Sequence, residues 1–254
     1  MWDPERYLTY ADQRGRPFAE LVSRVGAENP SEVVDLGCGP GNLTRTLGQR
    51  WPASHITGMD SSAEMIGAAG AISGIDWIEA DVQTWRPESP VDVLISNATL
   101  QWVPDHLAQL PRLASLLAPG GWFAFQVPGN FGAPSHVLLR EAINQPRWRD
   151  RLGHLIRPGS HEPVEYLDAL ALAGLVAIDV WETTYLHVLT GDDPVLNWVS
   201  GTALRPILAS LDDADRDAFL GPYREALRAA YPTRDDGTVL LPFRRIFAVA
   251  RASQ

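Results

Sequence analysis

The sequence predicts a doubly wound α/β fold: a mostly parallel sheet with helices on both faces, an antiparallel last strand and a helical cap. Three observations predict it. Short apolar runs alternate with amphipathic segments through the first half of the chain, which is the pattern of βαβ units. One run, Val33-Val34-Asp35-Leu36, passes through Gly37-Cys38-Gly39-Pro40-Gly41 into the amphipathic segment Leu43 to Trp51. A strand that ends in a glycine turn and opens a helix builds a nucleotide-type ligand site. Lastly, Asp35, Asp60, Asp81 and Asn97 all fall at the carboxyl ends of expected strands, where such sheets place ligand groups.

The elements follow in order. Residues 1–15, with Trp2, Pro4, Tyr7, Tyr10 and Arg14, form an arm, either packed or a lid over the site. Phe18, Leu21, Val22 and Val25 at helical spacing predict a helix over 16–28. The glycine turn comes next, then a second strand, His55 to Asp60, whose terminal acid lies about 20 residues past the glycines, where a carboxylate reaches a ribose diol. Ser61-Ser62-Ala63-Glu64 reads as a capping box. Further strands are expected at 75–80, 91–95 and 122–127, with a helix from Asp105 to Leu117 stopped by Pro119-Gly120-Gly121. The rhythm breaks after Pro128-Gly129. Residues 16–128 are therefore read as the ligand-binding core. Segments 129–172 and 190–235 are read as a helical cap, and 176–189 and 237–251 as returning strands.

Composition narrows the function. The formal charge of −10 argues against nucleic acid as a partner, so an anionic substrate would need a local cluster of arginines. No run of about 18 apolar residues is present, so no membrane partner is expected. The opening Met1-Trp2-Asp3-Pro4-Glu5-Arg6 lacks the basic and apolar regions of a signal peptide. The single cysteine, Cys38, allows no internal disulfide and suits a reducing cytosol. A cytoplasmic monomer or weak homodimer is expected. Six histidines are scattered without ligand spacing, and no metal site is expected.

Asp35 discriminates between ligands. A pyrophosphate on the turn would lie beside this carboxylate, and two like charges about 4 Å apart near a surface repel by roughly 4 kcal/mol. The spacing G-x-G-x-G also departs from the dinucleotide fingerprint G-x-G-x-x-G. A carboxylate here suits an amino group, and so a ligand with an amino-acid end and an adenosine end.

The run Asp35 to Gly41, with Asp60, Asp81 and the strand–Asn97 junction, resembles the cofactor site of class I S-adenosylmethionine-dependent methyltransferases, whose sheet is Rossmann-like. The resemblance narrows to the trans-aconitate 2-methyltransferase family through Trp2-Asp3-Pro4 with Tyr7, Asn97 to His106, Trp198 to Pro206, and Arg244 to Arg251. It implies S-adenosyl-L-methionine as cofactor, with S-adenosyl-L-homocysteine as product. Asp35, Gly37 and Gly39 would hold the methionyl end, Asp60 and Ser61 the ribose, and Asp81 and Val82 the adenine, with Asn97 near the sulfonium. Trp102 is similar to the tryptophan that carboxyl methyltransferases place beside the reacting carboxylate, so Trp102 and Asn97 are the catalytic candidates.

The implied partner is a small anionic tricarboxylate, bound through arginine forks. Arg205 and Arg244 are the leading candidates, with Arg14, Arg157 and Arg245 behind them. Adjacent Arg244 and Arg245 point to opposite faces of a strand, so at most one faces the site. Tyr7, Gln101, His106, Tyr185 and His187 are candidate donors to substrate oxygens. A carboxylate with pKa near roughly 4 is already ionised at neutral pH, so no general base is required. The alternatives are another small acid or hydroxyl substrate, an NAD(P)-dependent oxidoreductase, and a non-catalytic cofactor-binding protein.

Overall fold

The computed structural model describes residues 11–155 and 159–254, the side chains of 11–14 excepted. The arm residues Trp2, Tyr7 and Tyr10, the Arg14 side chain and Arg157 lie outside what it describes. Seven strands form one sheet in the order β3-β2-β1-β4-β5-β7-β6. They are β1 (Glu32–Leu36), β2 (His55–Asp60), β3 (Asp76–Glu79), β4 (Val91–Asn97), β5 (Leu117–Pro128), β6 (Val176–Leu189) and β7 (Val239–Arg251). Strands β1 to β5 pair in parallel, and β7 runs antiparallel to β5. Because β1 and β4 are both central, they read as nearly continuous apolar runs, buried on both faces.

The chain divides into two compact units: 1–128 with 160–183 and 245–254, and 129–159 with 184–244. The first contains the parallel sheet, covered by α1 (Ala11–Ser23), α2 (Leu47–Arg50), α3 (Ala63–Ala69) and α4 (His106–Ala114). Its core joins Leu36, Leu94, Phe123 and Phe125 to Tyr166 and Leu170. Those last two lie on α7 (Pro163–Leu172). The stretch expected as one cap segment, 129–172, therefore splits, and its final helix belongs with the sheet. The second unit holds α5 (Pro134–Ile143), α6 (Arg149–Leu152), α8 (Pro194–Ser200), α9 (Arg205–Ala209) and α10 (Asp213–Ala230). There Tyr223 donates from its hydroxyl to Ser135 O at 2.8 Å, and Trp148 meets Phe219 edge-on.

Several boundaries differ from expectation for local reasons. The first helix spans Ala11–Ser23 rather than 16–28. Its apolar face (Phe18, Leu21, Val22) is buried as the spacing requires, but Val25 is buried from the turn that follows. The N-cap of α3 is Ser62, not Ser61: its hydroxyl accepts from Met65 N at 3.3 Å, while Glu64 bonds that hydroxyl instead of closing a reciprocal box. The reciprocal box is at α7, between Glu162 and Glu165. Strand β5 begins at Leu117, because Leu117 pairs with Val91 across a bulge before Trp122 pairs with Val93. The expected helix accordingly ends at Ala114.

Candidate active site

The glycine turn is shaped by what lies on each side of it. Gly37, Gly39 and Gly41 have φ of 77°, 56° and 78°, the left-handed region that glycine adopts without steric cost. A β-carbon on Gly37 would fall 2.0 Å from Thr99 Oγ1, and one on Gly41 would fall 2.5 Å from the Trp77 ring. At Gly39 a β-carbon would meet nothing within 4 Å. The turn is thus packed from behind at Gly37 and Gly41 and open at Gly39.

Strand β2 fixes the turn in place. Gly37 N and Cys38 N both donate to Met59 O, at 2.7 and 2.9 Å. Asp60 Oδ2 accepts from Gly39 N at 2.9 Å, and its Oδ1 accepts from Ser62 N at 2.9 Å. A carboxylate offers about four acceptor positions, so each oxygen retains capacity for a hydroxyl donor. Asp60 is at once the anchor of the turn and a wall of the adjoining cleft, a cavity of about 190 Å³ lined by Gly37, Asp60, Ser61, Asp81, Val82, Thr99 and Trp102 among others. Within it Asp81 is exposed, and its Oδ1 accepts from Gln83 N at 2.8 Å. Val82 is buried.

Asp35 sits one residue short of the strand end and is buried, accepting from Thr44 Oγ1 at 2.7 Å. Burial is the main cause that pushes its pKa up to about 6, and the nearby Asp60 charge adds to it; the Thr44 bond acts in the opposite direction. Burial likewise pushes the Cys38 thiol far above its ordinary value, with Asp35 and Asp60 adding to the effect. That leaves no thiolate for nucleophilic chemistry.

Asn97 ends β4, and Ala98 turns the chain with φ 56°. Buried Asn97 Oδ1 has no hydrogen-bond partner among the described residues, and neither does Gln101 Oε1, although Gln101 Nε2 donates to Ala98 O at 2.6 Å. Trp102 is 41% exposed on a single 3₁₀ turn. His106 turns into the core instead. Its Nε2 is 2.7 Å from Tyr166 Oη, its ring stacks on Tyr166, and desolvation, with His161 adding, brings its pKa down to about 4.

The remaining substrate candidates lie in the second unit. Tyr185 and His187 are buried on β6, with His187 stacked on Trp198 at 4.5 Å. Arg205 opens α9 and is half-buried. Arg244 donates from Nη1 to Gly129 O at 3.4 Å. In the first unit, Arg245 is buried and donates from Nη1 to Gln126 Oε1 at 3.0 Å. Thr44, Trp77, Thr99 and Gln126 shape the site without having been anticipated, because their roles depend on which strands become neighbours. Among the described residues, no group of three or more His, Cys, Asp or Glu side chains is placed to hold a metal.

Comparison with known proteins follows this geometry. A family model described as a methyltransferase domain matches residues 10–177. The chain is 54% identical to the trans-aconitate 2-methyltransferase of Streptomyces avermitilis, covering 98% of this chain and 96% of that one. It is 52% identical to the enzyme of that name from Mycolicibacterium gilvum, over 99% of both. Among solved structures, a putative methyltransferase from Bacillus halodurans aligns with a TM-score of 0.61 at 13% identity, over 93% of this chain and 99% of that one. Phosphoethanolamine N-methyltransferase 2 of Haemonchus contortus, solved in complex with S-adenosyl-L-methionine, aligns with a TM-score of 0.57 at 14% identity, over 94% and 53%. These two bear on the fold alone. From the glycine turn on β1 to the reversed last strand, and on identity along nearly its whole length, the chain belongs to the trans-aconitate 2-methyltransferase family of class I methyltransferases.

Proposed function

We propose that this chain transfers the methyl group of S-adenosyl-L-methionine to a carboxylate of trans-aconitate, forming a monomethyl ester. Identity of 49–54% to enzymes of that name over nearly the full chain carries the substrate. The site's chemistry fits the cofactor. Gly39 leaves open space above the turn, Asp35 supplies a buried carboxylate for an ammonium, and Asn97 Oδ1 is an acceptor without a partner among the described residues. Asp60 and Ser61 are assigned to the ribose hydroxyls, and Asp81 and Val82 to the adenine edge. The methyltransferase-domain match speaks against the oxidoreductase reading.

The bound cofactor supplies an electrophilic methyl group. The chain's task is then to bind, orient and desolvate. No residue has to remove a proton, because the attacking carboxylate is ionised at neutral pH. Holding oxygen, methyl carbon and sulfur in line can lower the barrier by several kcal/mol, up to roughly 7–11. Trp102, half-exposed at the mouth of the cleft, is assigned to cover the reacting carboxylate and exclude water. Arg205 is assigned to a remaining negative charge, with Gln101, Tyr185 and Tyr7 as donors.

Incubating the purified protein with methyl-labelled cofactor and trans-aconitate tests the proposal. Labelled product that releases its label in alkali is expected. Alkali-stable label would indicate transfer to a hydroxyl, and absence of transfer would defeat the reading.

A further inference from the structure

One face of the sheet carries a row of polar side chains across four strands. Asp35 on β1 pairs with Ile95 on β4, and Asn97 lies two residues beyond Ile95. Asn97 pairs with Gln126 on β5, and Gln126 pairs with Phe247 on β7, two residues after Arg245. Residues in register on neighbouring strands share a face, as do residues two apart on one strand. Asp35, Asn97, Gln126 and Arg245 therefore line one face near the carboxyl ends of the parallel strands, which is the ligand end of such a sheet.

At the β5–β7 end of this row the polar groups are deeply buried: Gln126 is 0% and Arg245 6% exposed. The contact between them orients the amide. A guanidinium has donors only, so the Gln126 oxygen must face Arg245 Nη1, and Gln126 Nε2 points elsewhere. That nitrogen, buried, has no acceptor among the described residues. A buried amide N–H normally has an acceptor. Beside an arginine, the group best able to serve both is an anion with planar oxygens.

We propose that Gln126 and Arg245 form a carboxylate-binding subsite that fixes one of the substrate's non-reacting carboxylates and so sets specificity for polyacids. This rests on the reading that the substrate is a tricarboxylate. Location favours the substrate over the cofactor's own carboxylate. The glycine turn and Asp60 belong to β1 and β2, on one side of β4, whereas Gln126 and Arg245 belong to β5 and β7, on the other. With strands about 4.8 Å apart, three strand spacings put about 14 Å between Asp35 and Arg245 across the sheet, and the four-residue register offset makes the full separation about 20 Å. The opposite ends of the row thus hold opposite charges, Asp35 for an ammonium and Arg245 for a carboxylate.

The test uses Arg245→Lys and Gln126→Glu, the second setting a carboxylate against Arg245 with almost no change of shape. Binding of S-adenosyl-L-homocysteine, measured calorimetrically, serves both as a folding control and as a readout of the cofactor. Cofactor-product affinity within about twofold of wild type is expected, with KM for trans-aconitate raised about 10- to 100-fold, the scale of a lost charged hydrogen bond. An unchanged KM would overturn the proposal. A parallel loss of cofactor-product affinity would do so too, by assigning the subsite to the cofactor's carboxylate. If Arg245→Lys does not fold, Gln126→Glu decides alone. If the wild type does not esterify trans-aconitate, the proposed activity fails, but the subsite still has its own readout. Tricarballylate should raise the melting temperature of the wild type loaded with S-adenosyl-L-homocysteine and not that of Gln126→Glu; equal shifts in both, or no shift in the wild type, would overturn it.

Discussion

Burial beneath the glycine turn holds the Asp35 carboxyl at about pKa 6, against 3.8 when unhindered. Between those values the folded state binds more protons than the unfolded chain, so this group's stabilisation is complete below about 3.8 and is lost as pH rises through about 6. Asp35→Asn, which can keep the Thr44 bond, should therefore make the ligand-free protein more stable than wild type at pH 7.5, by roughly 1–3 kcal/mol. The gain should shrink towards pH 4, as urea unfolding at the two pH values would register. The same variant should bind S-adenosyl-L-homocysteine at least about tenfold more weakly, the scale of one charged contact. In the wild type, calorimetric affinity should fall as pH drops through about 6 and Asp35 becomes neutral.

Strand β3 contributes little to the core, yet it carries the side chain that sets the shape of the glycine turn. A β-carbon on Gly58 would lie 2.2 Å from the Trp77 ring, and the same ring blocks Gly41. Gly58→Ala alone should cost about 1–3 kcal/mol from overpacking. Combined with Trp77→Leu, it should cost measurably less than the sum of the two single changes, a coupling of at least about 0.5 kcal/mol in a double-mutant cycle of urea midpoints. Helices α4 and α7 are joined in another way, through His106 and Tyr166. With its pKa lowered from 6.5 to about 4, buried His106 supplies stability that is lost as pH falls through that window. His106→Gln should flatten the acid side of the stability profile there, the reverse of the Asp35 effect.

For the molecule as a whole, direct transfer to an ionised carboxylate predicts a one-sided pH profile of kcat/KM. For trans-aconitate at saturating cofactor it should rise through about 6 with Asp35 and show no falling limb up to about pH 9, since no general acid is needed. The sequence already contained the sheet, because the apolar runs and the terminal acids obey local rules; β2 and β6 have the bounds expected of them. What it did not contain was set by strand neighbours. The S-x-x-E spacing chooses Ser61 as the cap of α3, whereas the end of β2 sets the helix start one residue later, at Ser62. Alternation put Arg244 and Arg245 on opposite faces, but only the register of β7 against β5 decides which of them meets Gln126. The contact of Trp77 with Gly41 and Gly58 depends on the pairing of β2 with β3, which no local pattern specifies. Sequence pattern places 163–172 in the cap, because the affiliation of this helix with the sheet depends on Tyr166 reaching Phe125, a contact far apart in sequence.

The reversal of β7 has a practical corollary for handling the protein. A parallel strand delivers its last residues to the ligand end; an antiparallel one delivers its first. Arg245 arrives opposite Pro128, while Arg251 pairs beside Trp122 and Ser253 O accepts from Gly120 N at 3.0 Å, at the other end of the sheet. A fluorophore, affinity tag or surface tether attached after Gln254 therefore leaves from the end remote from Asn97 and Gln126.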